Sequence, residues 1–256
     1  MSGRAGPEHP MTSSAALDAL HEDADLLVVN KPAGLVCHPS KDGEASSLVG
    51  RVRLHLGSTE GRLVNRLDRE TSGVVLVAKG ANVARELGSV LTARGVAKVY
   101  DSVVHGHLLG DDVEGQGWRH ITAALGSDDA SPVAIKDCAR PDGAPAETLV
   151  RLVRHVERDG RPYSLVEVRP ITGRKHQIRI HLAHIGHPIV GDPTYGGIRR
   201  HLPADLRALG RLERPFLHAL RLAFAHPADG RMLEFTAPLA PDLQRVLDEI
   251  RLTAGD

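Results

Sequence analysis

TLVRLVRHVERDGRPYSLVEVRPI, residues 148–171, decides the fold class. Both arms alternate apolar with charged or polar side chains, the period-2 pattern of a strand, and the Asp159-Gly160 pair between them is a hairpin signal. Strands joined this tightly are antiparallel, because a parallel return needs a crossover of about a dozen residues or more. FLHALRLAFAHPADGRMLEFTAP, 216–238, predicts a second hairpin in the same way.

Toward the N-terminus the pattern changes. LLVVNK, 26–31, is a continuous apolar run ending at Pro32 and Gly34, which predicts a buried strand followed by a turn. VVLVAK, 74–79, has the same character, and VAKVYDSVVHGHL, 96–108, is an alternating strand rich in β-branched residues. Between them Val83, Leu87, Val90 and Leu91 recur at helical spacing, with Gly95 where the helix would stop. PDLQRVLDEIRL, 241–252, opens with Pro241 and puts Leu243, Val246, Leu247 and Ile250 on one face, an amphipathic helix. Hairpins dominate, so the expected fold is α+β around a mixed, largely antiparallel central sheet with flanking helices and loops. Residues 1–19, rich in Gly, Pro, Ser and Ala, are expected to form a flexible tail before a single domain at 20–256. A variable insertion of turns and short strands is expected at 109–146.

Composition narrows the function classes. The chain has 256 residues, 41% of them hydrophobic, enough for a substantial core. No apolar run approaches the roughly 20 residues of a membrane helix, and the first residues lack a cationic segment followed by a long apolar one. The expectation is a cytoplasmic protein with no membrane partner. Cys37 and Cys138 form no CxxC pattern, so reduced thiols are expected rather than a disulfide framework or zinc site. Lys plus Arg and Asp plus Glu number 32 each, yet 51–100 and 169–200 each carry +5 while 1–50 carries −4 and 101–168 carries −5. Such segregation permits an RNA partner on a cationic face of a neutral protein.

Three clusters carry chemistry. In NRLDRETSGVVLVAK, 65–79, Asp68 lies between Arg66 and Arg69, before Thr71-Ser72-Gly73 and a buried strand. Nearby arginines favour the charged carboxylate that a nucleophile or electrostatic stabiliser requires. A surface ion pair is the competing reading. In PITGRKHQIRIHLAHIGHPIVGDPTYGG, 170–197, His176, His181, His184 and His187 invite a metal, but no carboxylate or cysteine stands among them, so hydrogen bonding is expected and no metal. Arg174, Lys175 and Arg179 with Gln177 suggest anion contacts near a helix start, and Arg179 could alternatively hold a buried acid. In VAKVYDSVV, Lys98 and Tyr100 share a strand face. With seven Phe, Trp and Tyr residues in the chain, a Tyr beside a Lys is a candidate base-stacking platform, and a core Tyr with a capped hydroxyl is the alternative.

Together with DLLVVNKPAGLVCHP (25–39), RLDRETSGVVLVAK (66–79), KVY (98–100), TGRKHQIRIHLAHIGHPIVGDPTYG (172–196) and LHALRLAFAHP (217–227), in this order, the chain resembles the RluA-type RNA pseudouridine synthases over residues 22 to about 240. The resemblance implies the pseudouridine synthase fold and isomerisation of uridine to pseudouridine in tRNA or large-subunit rRNA, by a monomer without metal or cofactor. Asp68 then matches the catalytic aspartate, Tyr100 the tyrosine that stacks on the target base, Arg179 the arginine that pairs with the aspartate, and Arg66 an arginine associated with displacing the nucleotide. Lys98, Arg174 and His176 join them as substrate-binding candidates. Asn65 replaces the His usual before RLD, from which a tuning effect is expected. The stretch before the core is too short for the N-terminal RNA-binding module of some relatives, so recognition is expected from the catalytic domain itself. A hydrolytic nucleoside or glycoside enzyme would need a second carboxylate, Glu70 or Asp192 being nearest by motif. A non-catalytic RNA-binding module would keep the scaffold without the reaction.

Overall fold

The computed structural model describes residues 17–39, 44–92, 96–109, 117–131, 136–158, 160–196 and 212–252. In chain order the strands are β1 (Ala19–Glu22), β2 (Leu26–Lys31), β3 (Arg62–Leu63), β4 (Ser72–Ala78), β5 (Val96–His105), β6 (Trp118–Thr122), β7 (Leu125–Ser127), β8 (Asp137–Ala139), β9 (Glu147–Arg158), β10 (Arg161–Pro170), β11 (Leu217–Ala225) and β12 (Met232–Thr236). The helices are α1 (Leu48–Leu56), α2 (Ala81–Thr92), α3 (Gln177–His184) and α4 (Pro241–Leu252). Ten strands form one sheet with β1-β2-β4-β11-β5-β10-β9-β6 as its path, β12 pairing β11 and β3 pairing β4. Within it β11 and β4 run parallel, and the other pairs are antiparallel. The fold is the expected α+β class.

The continuous apolar runs lie where both sheet faces are covered. On β2 and β4, Leu27, Val29, Val75 and Val77 enter one core, with Leu48 and Val52 of α1, Ile178 and Leu182 of α3, and Leu243 and Val246 of α4. Their alternates Leu26, Val28, Val74 and Leu76 enter a second core with Leu87 of α2. Each fully buried Val or Leu stabilises the fold by about 1.5–3 kcal/mol. β4 begins two residues earlier than its apolar run, at Ser72, because Gly73 (φ 116) lets the backbone approach β11: a Cβ there would lie 2.2 Å from the Ala219 carbonyl oxygen. β5 ends at His105, where Gly106 (φ 83) turns the chain.

Both predicted hairpins form, β9–β10 and β11–β12, and helices stand at both predicted places. Asp159, Gly95, tail residues 1–16, and 110–116 and 132–135 of the insertion lie outside the described residues. Elsewhere in the insertion, β6 adds to the sheet through β9, and the β7–β8 hairpin packs Leu125 against Ile180 of α3. Helix α1 went unread although both its caps are in the sequence: the Ser47 hydroxyl accepts from the Gly50 N–H, and Gly57 closes the helix at φ 60.

Candidate active site

Asp68 stands on the loop between β3 and β4, and that loop is tied down along its length. The Asn65 side chain donates to the Val74 carbonyl (3.3 Å) and accepts from the Leu76 N–H (2.7 Å), fastening the loop to β4. Asparagine thus serves as a two-bond anchor in place of histidine. Lys31, fully buried at the end of β2, donates to the carbonyls of Pro32, Leu35 and Arg69 at 2.9, 2.8 and 3.0 Å. Burial pushes its ammonium down to about 8. The Cys37 thiol lies 3.3 Å from the Leu67 carbonyl, between Arg66 and Asp68. Arg69 turns away from Asp68: its Nε donates to the Gly34 carbonyl (3.1 Å) and its guanidinium pairs with Glu70 at 3.5 Å. Asp68 is therefore presented by a rigid loop rather than clasped by its sequence neighbours.

The opposite wall is α3 and the turn before it. The Gln177 amide accepts from the Thr172 hydroxyl and the Arg174 N–H and donates to the Glu147 carbonyl and the Thr148 hydroxyl. Its hydrogen-bonding capacity is used in fixing this wall to β9, which corrects the expectation that it contacts an anion. His181, fully buried, places its ring nitrogens 2.9 Å from the Thr148 hydroxyl and 3.0 Å from the Ala123 carbonyl. His187 likewise bonds the His105 carbonyl. No group of three or more His, Cys, Asp and Glu side chains among the described residues is placed to hold a metal ion.

Arg179 serves both acids that the sequence offered it. Its Nε and Nη2 bind Asp192 at 2.7 and 2.8 Å, whereas Asp68 lies 3.8 Å from its Nη1. The primary partner is the buried acid, and Asp68 is the secondary one. Asp192 also accepts the N–H groups of Thr194 and Tyr195. Burial alone would raise its carboxyl pKa, but the bonds and charge of Arg179 hold it below the usual value. An Asp-Pro pair after Gly191 was the sequence signal for this Asx-type turn. Tyr195, also unread, reaches back to His176: its hydroxyl lies 3.0 Å from Nδ1.

Between the walls opens a cavity of about 620 Å³. Arg66, Asp68, Lys98, Tyr100, Arg174, His176 and Arg179 all line it, so the three sequence clusters converge on one site. Tyr100 is 8% exposed, and burial, with the charge of Asp68 adding, pushes its hydroxyl pKa up, keeping the phenol neutral. Burial lowers the Lys98 ammonium beside it. His176 Nε2 stands 4.0 Å from Asp68 Oδ2. Burial, Arg179 and Lys175 lower the His176 pKa against the opposing charge of Asp68. Arg66, Arg174 and Lys175 are exposed at the rim. Among the described residues the site offers one carboxylate, between an aromatic face and a cationic rim, a shape suited to a base and its phosphates.

Residues 25–184 match the RNA pseudouridylate synthase family. An uncharacterized RNA pseudouridine synthase of Chloroflexus aurantiacus is 40% identical over 228 residues, covering 87% of this chain and 66% of that protein. Ribosomal large subunit pseudouridine synthase D of Xanthomonas campestris pv. campestris is 36% identical, covering 95% of this chain and 72% of that protein. The chain thus spans about two thirds to three quarters of these relatives' lengths. Among solved structures, human RNA Pseudouridylate Synthase Domain Containing 1 superposes with a TM-score of 0.67 at 26% identity, covering 95% of this chain and 98% of that one.

Proposed function

The chain belongs to the RNA pseudouridylate synthase family, enzymes that isomerise uridine to pseudouridine in RNA, and we propose that Asp68 is its catalytic carboxylate, acting on a uridine of large-subunit ribosomal RNA. The observation that carries this is that Asp68 is the one carboxylate among the described residues lining the cavity. A glycoside-type hydrolysis uses two. Asp192 is 0% exposed and bonded to Arg179, and Glu70 lies outside the cavity lining, so neither supplies the second.

The reaction balances without an outside reagent: the bond from N1 to the ribose breaks, a bond from carbon 5 to the same ribose carbon forms, carbon 5 loses a proton and N1 gains one. No electrons are exchanged, so no redox cofactor is called for. The uridine must leave its stack, at a cost of a few kcal/mol. Tyr100 offers it a new stacking partner from the rigid strand β5, and Arg66 at the rim supports the vacated space. Lys98 and Arg174 hold backbone phosphates, and Arg179 and His176 direct Asp68 into the cavity. The site of action is the cytoplasm, with the RNA. No described helix is long and apolar enough to cross a membrane.

The test is a large-subunit rRNA transcript labelled with tritium at carbon 5 of uridine. The wild type should release tritium and form pseudouridine with no free uracil, and Asp68→Asn should bind the transcript without releasing tritium. An Asp68→Asn variant working at the wild-type rate would sink the assignment. Free uracil would indicate a hydrolase, and binding without tritium release by the wild type a binding module.

A further inference from the structure

His176 is the one non-glycine residue with positive φ among the described residues, at φ 52 and ψ 18. Left-handed backbone costs an ordinary L-residue about 1 kcal/mol or more and persists only where its surroundings impose it. Helix capping does not account for it, because His176 occupies the N-cap of α3 and makes no side-chain capping bond. The conformation instead stands the imidazole between two groups, with Nδ1 3.0 Å from the Tyr195 hydroxyl and Nε2 4.0 Å from Asp68 Oδ2.

The Tyr195 hydroxyl has a second partner. It accepts the Asp137 N–H at 3.3 Å, so its own proton is available to Nδ1. A neutral imidazole carries one N–H, and a proton received in hydrogen bonding at Nδ1 leaves that N–H on Nε2. We propose that Tyr195 and His176 are positioning residues for Asp68, the tyrosine fixing the imidazole tautomer so that Nε2–H faces the carboxylate. The inference rests on the reading of Asp68 as the catalytic group. The two groups stand 4.0 Å apart, so a movement of about 1 Å would bring this N–H within hydrogen-bonding distance of the carboxylate.

The same turn braces both neighbours of Asp68. Asp192 binds the Arg179 guanidinium and the Tyr195 N–H, and Arg179 lies 5.0 Å from the centroid of the Tyr195 ring. The groups facing the imidazole are Asp68, Arg179, Lys175, Asp137 and Tyr195. Burial and the two cations keep the ring neutral at pH 7. The position of its single proton therefore decides whether a donor or a lone pair meets Asp68.

Tyr195→Phe tests this against the same tritiated transcript. The expected variant binds RNA within about twofold of wild type, and its kcat falls about tenfold near pH 8. That deficit should shrink as the pH falls through the imidazole's own pKa, which burial holds below its ordinary value, because an imidazolium carries a proton on both nitrogens and no longer needs the tyrosine. A purely structural role would give the same deficit at every pH, and that result, or an unchanged kcat, overturns the proposal. His176→Gln and His176→Leu supply a second arm. Both are unbranched at Cβ and pay a similar backbone cost, but only Gln keeps an N–H donor, so Gln should retain several-fold more kcat than Leu. Equal losses overturn the proposal. Full activity of Asp68→Asn would instead remove the parent reading, whereas an inactive Asp68→Asn beside an unaffected Tyr195→Phe removes only the positioning role.

Discussion

Two aspartates face the same guanidinium and are built for opposite purposes. Asp192 is 0% exposed and takes two bonds from Arg179 at 2.7 and 2.8 Å and two more from backbone N–H groups. Asp68 is 30% exposed, and Arg179 and His176 stand off from it at 3.8 and 4.0 Å. A carboxylate with saturated lone pairs is architecture. One with donors only at longer range keeps its oxygens for substrate. Exchanging the two roles should therefore be impossible, and mutation should hit catalysis at one aspartate and stability at the other.

The largest expected effect is at Asp68. Asp68→Asn should lower tritium release by roughly 10²–10⁴-fold, equivalent to about 3–5 kcal/mol of barrier, with an unfolding midpoint close to wild type. Asp192→Ala should do the reverse. Breaking one side of a buried pair costs about 3–5 kcal/mol of stability because Arg179 stays buried and uncompensated, and urea unfolding would measure it. Activity would fall with it, since Arg179 and Tyr195 lose their common anchor. A stable Asp192→Ala protein would dissolve the contrast between the two sites.

A third aspartate sharpens the comparison by having neither arrangement. Asp101 follows Tyr100 on β5, so its side chain points to the other face of the sheet, where it pairs in register with Glu167 of β10. Burial, and then the charge of Glu167, raise its pKa to about 6 against the weaker pull of Arg221. The folded pKa lies above the unfolded value of about 3.9, so folding favours the protonated acid. The cost of ionising it is absent below about pH 4 and complete above about pH 6. Asp101→Asn should stabilise the protein by about 1–2 kcal/mol at pH 7, discounted for partial exposure, and by nothing near pH 4. Urea curves at both pH values decide it, and a gain independent of pH would show that ionisation was not its source.

The sequence was most legible where structure is local. The 148–171 hairpin needs only period-2 alternation and an Asp-Gly turn, and the runs at 26–31 and 74–79 show two covered faces directly. Helix α3 has no such stripe, because Gln177, Arg179 and His181 are buried as fully as Ile178, Ile180 and Leu182. The site residues come from segments 66–68, 98–100 and 174–179, and no periodicity joins those segments. Ordered motifs did. Arg179 has two acids within reach, Asp68 and Asp192, and only the tertiary structure shows which of them is buried and takes its hydrogen bonds. Tyr195 was hidden for the same reason: its partner is a backbone-strained histidine nineteen residues away.

If Asp68 keeps its oxygens for the uridine and Arg179 is committed to Asp192, other cations must anchor the RNA backbone. Arg174 is placed for that. It is exposed on the cavity rim, and its side chain makes one described bond within the protein, from Nε to the Pro145 carbonyl at 3.2 Å. The bond that fixes the wall, from the Arg174 N–H to Gln177, comes from the backbone and survives truncation. Arg174→Ala should therefore leave stability and kcat near wild type while weakening RNA binding by a similar factor for unrelated sequences. One phosphate contact fewer lowers the slope of log K against log salt by about 1, measurable by titrating the transcript across salt concentrations. An unchanged slope would mean that Arg174 only packs against Pro145, leaving Arg66, Lys98 and Lys175 to carry the backbone.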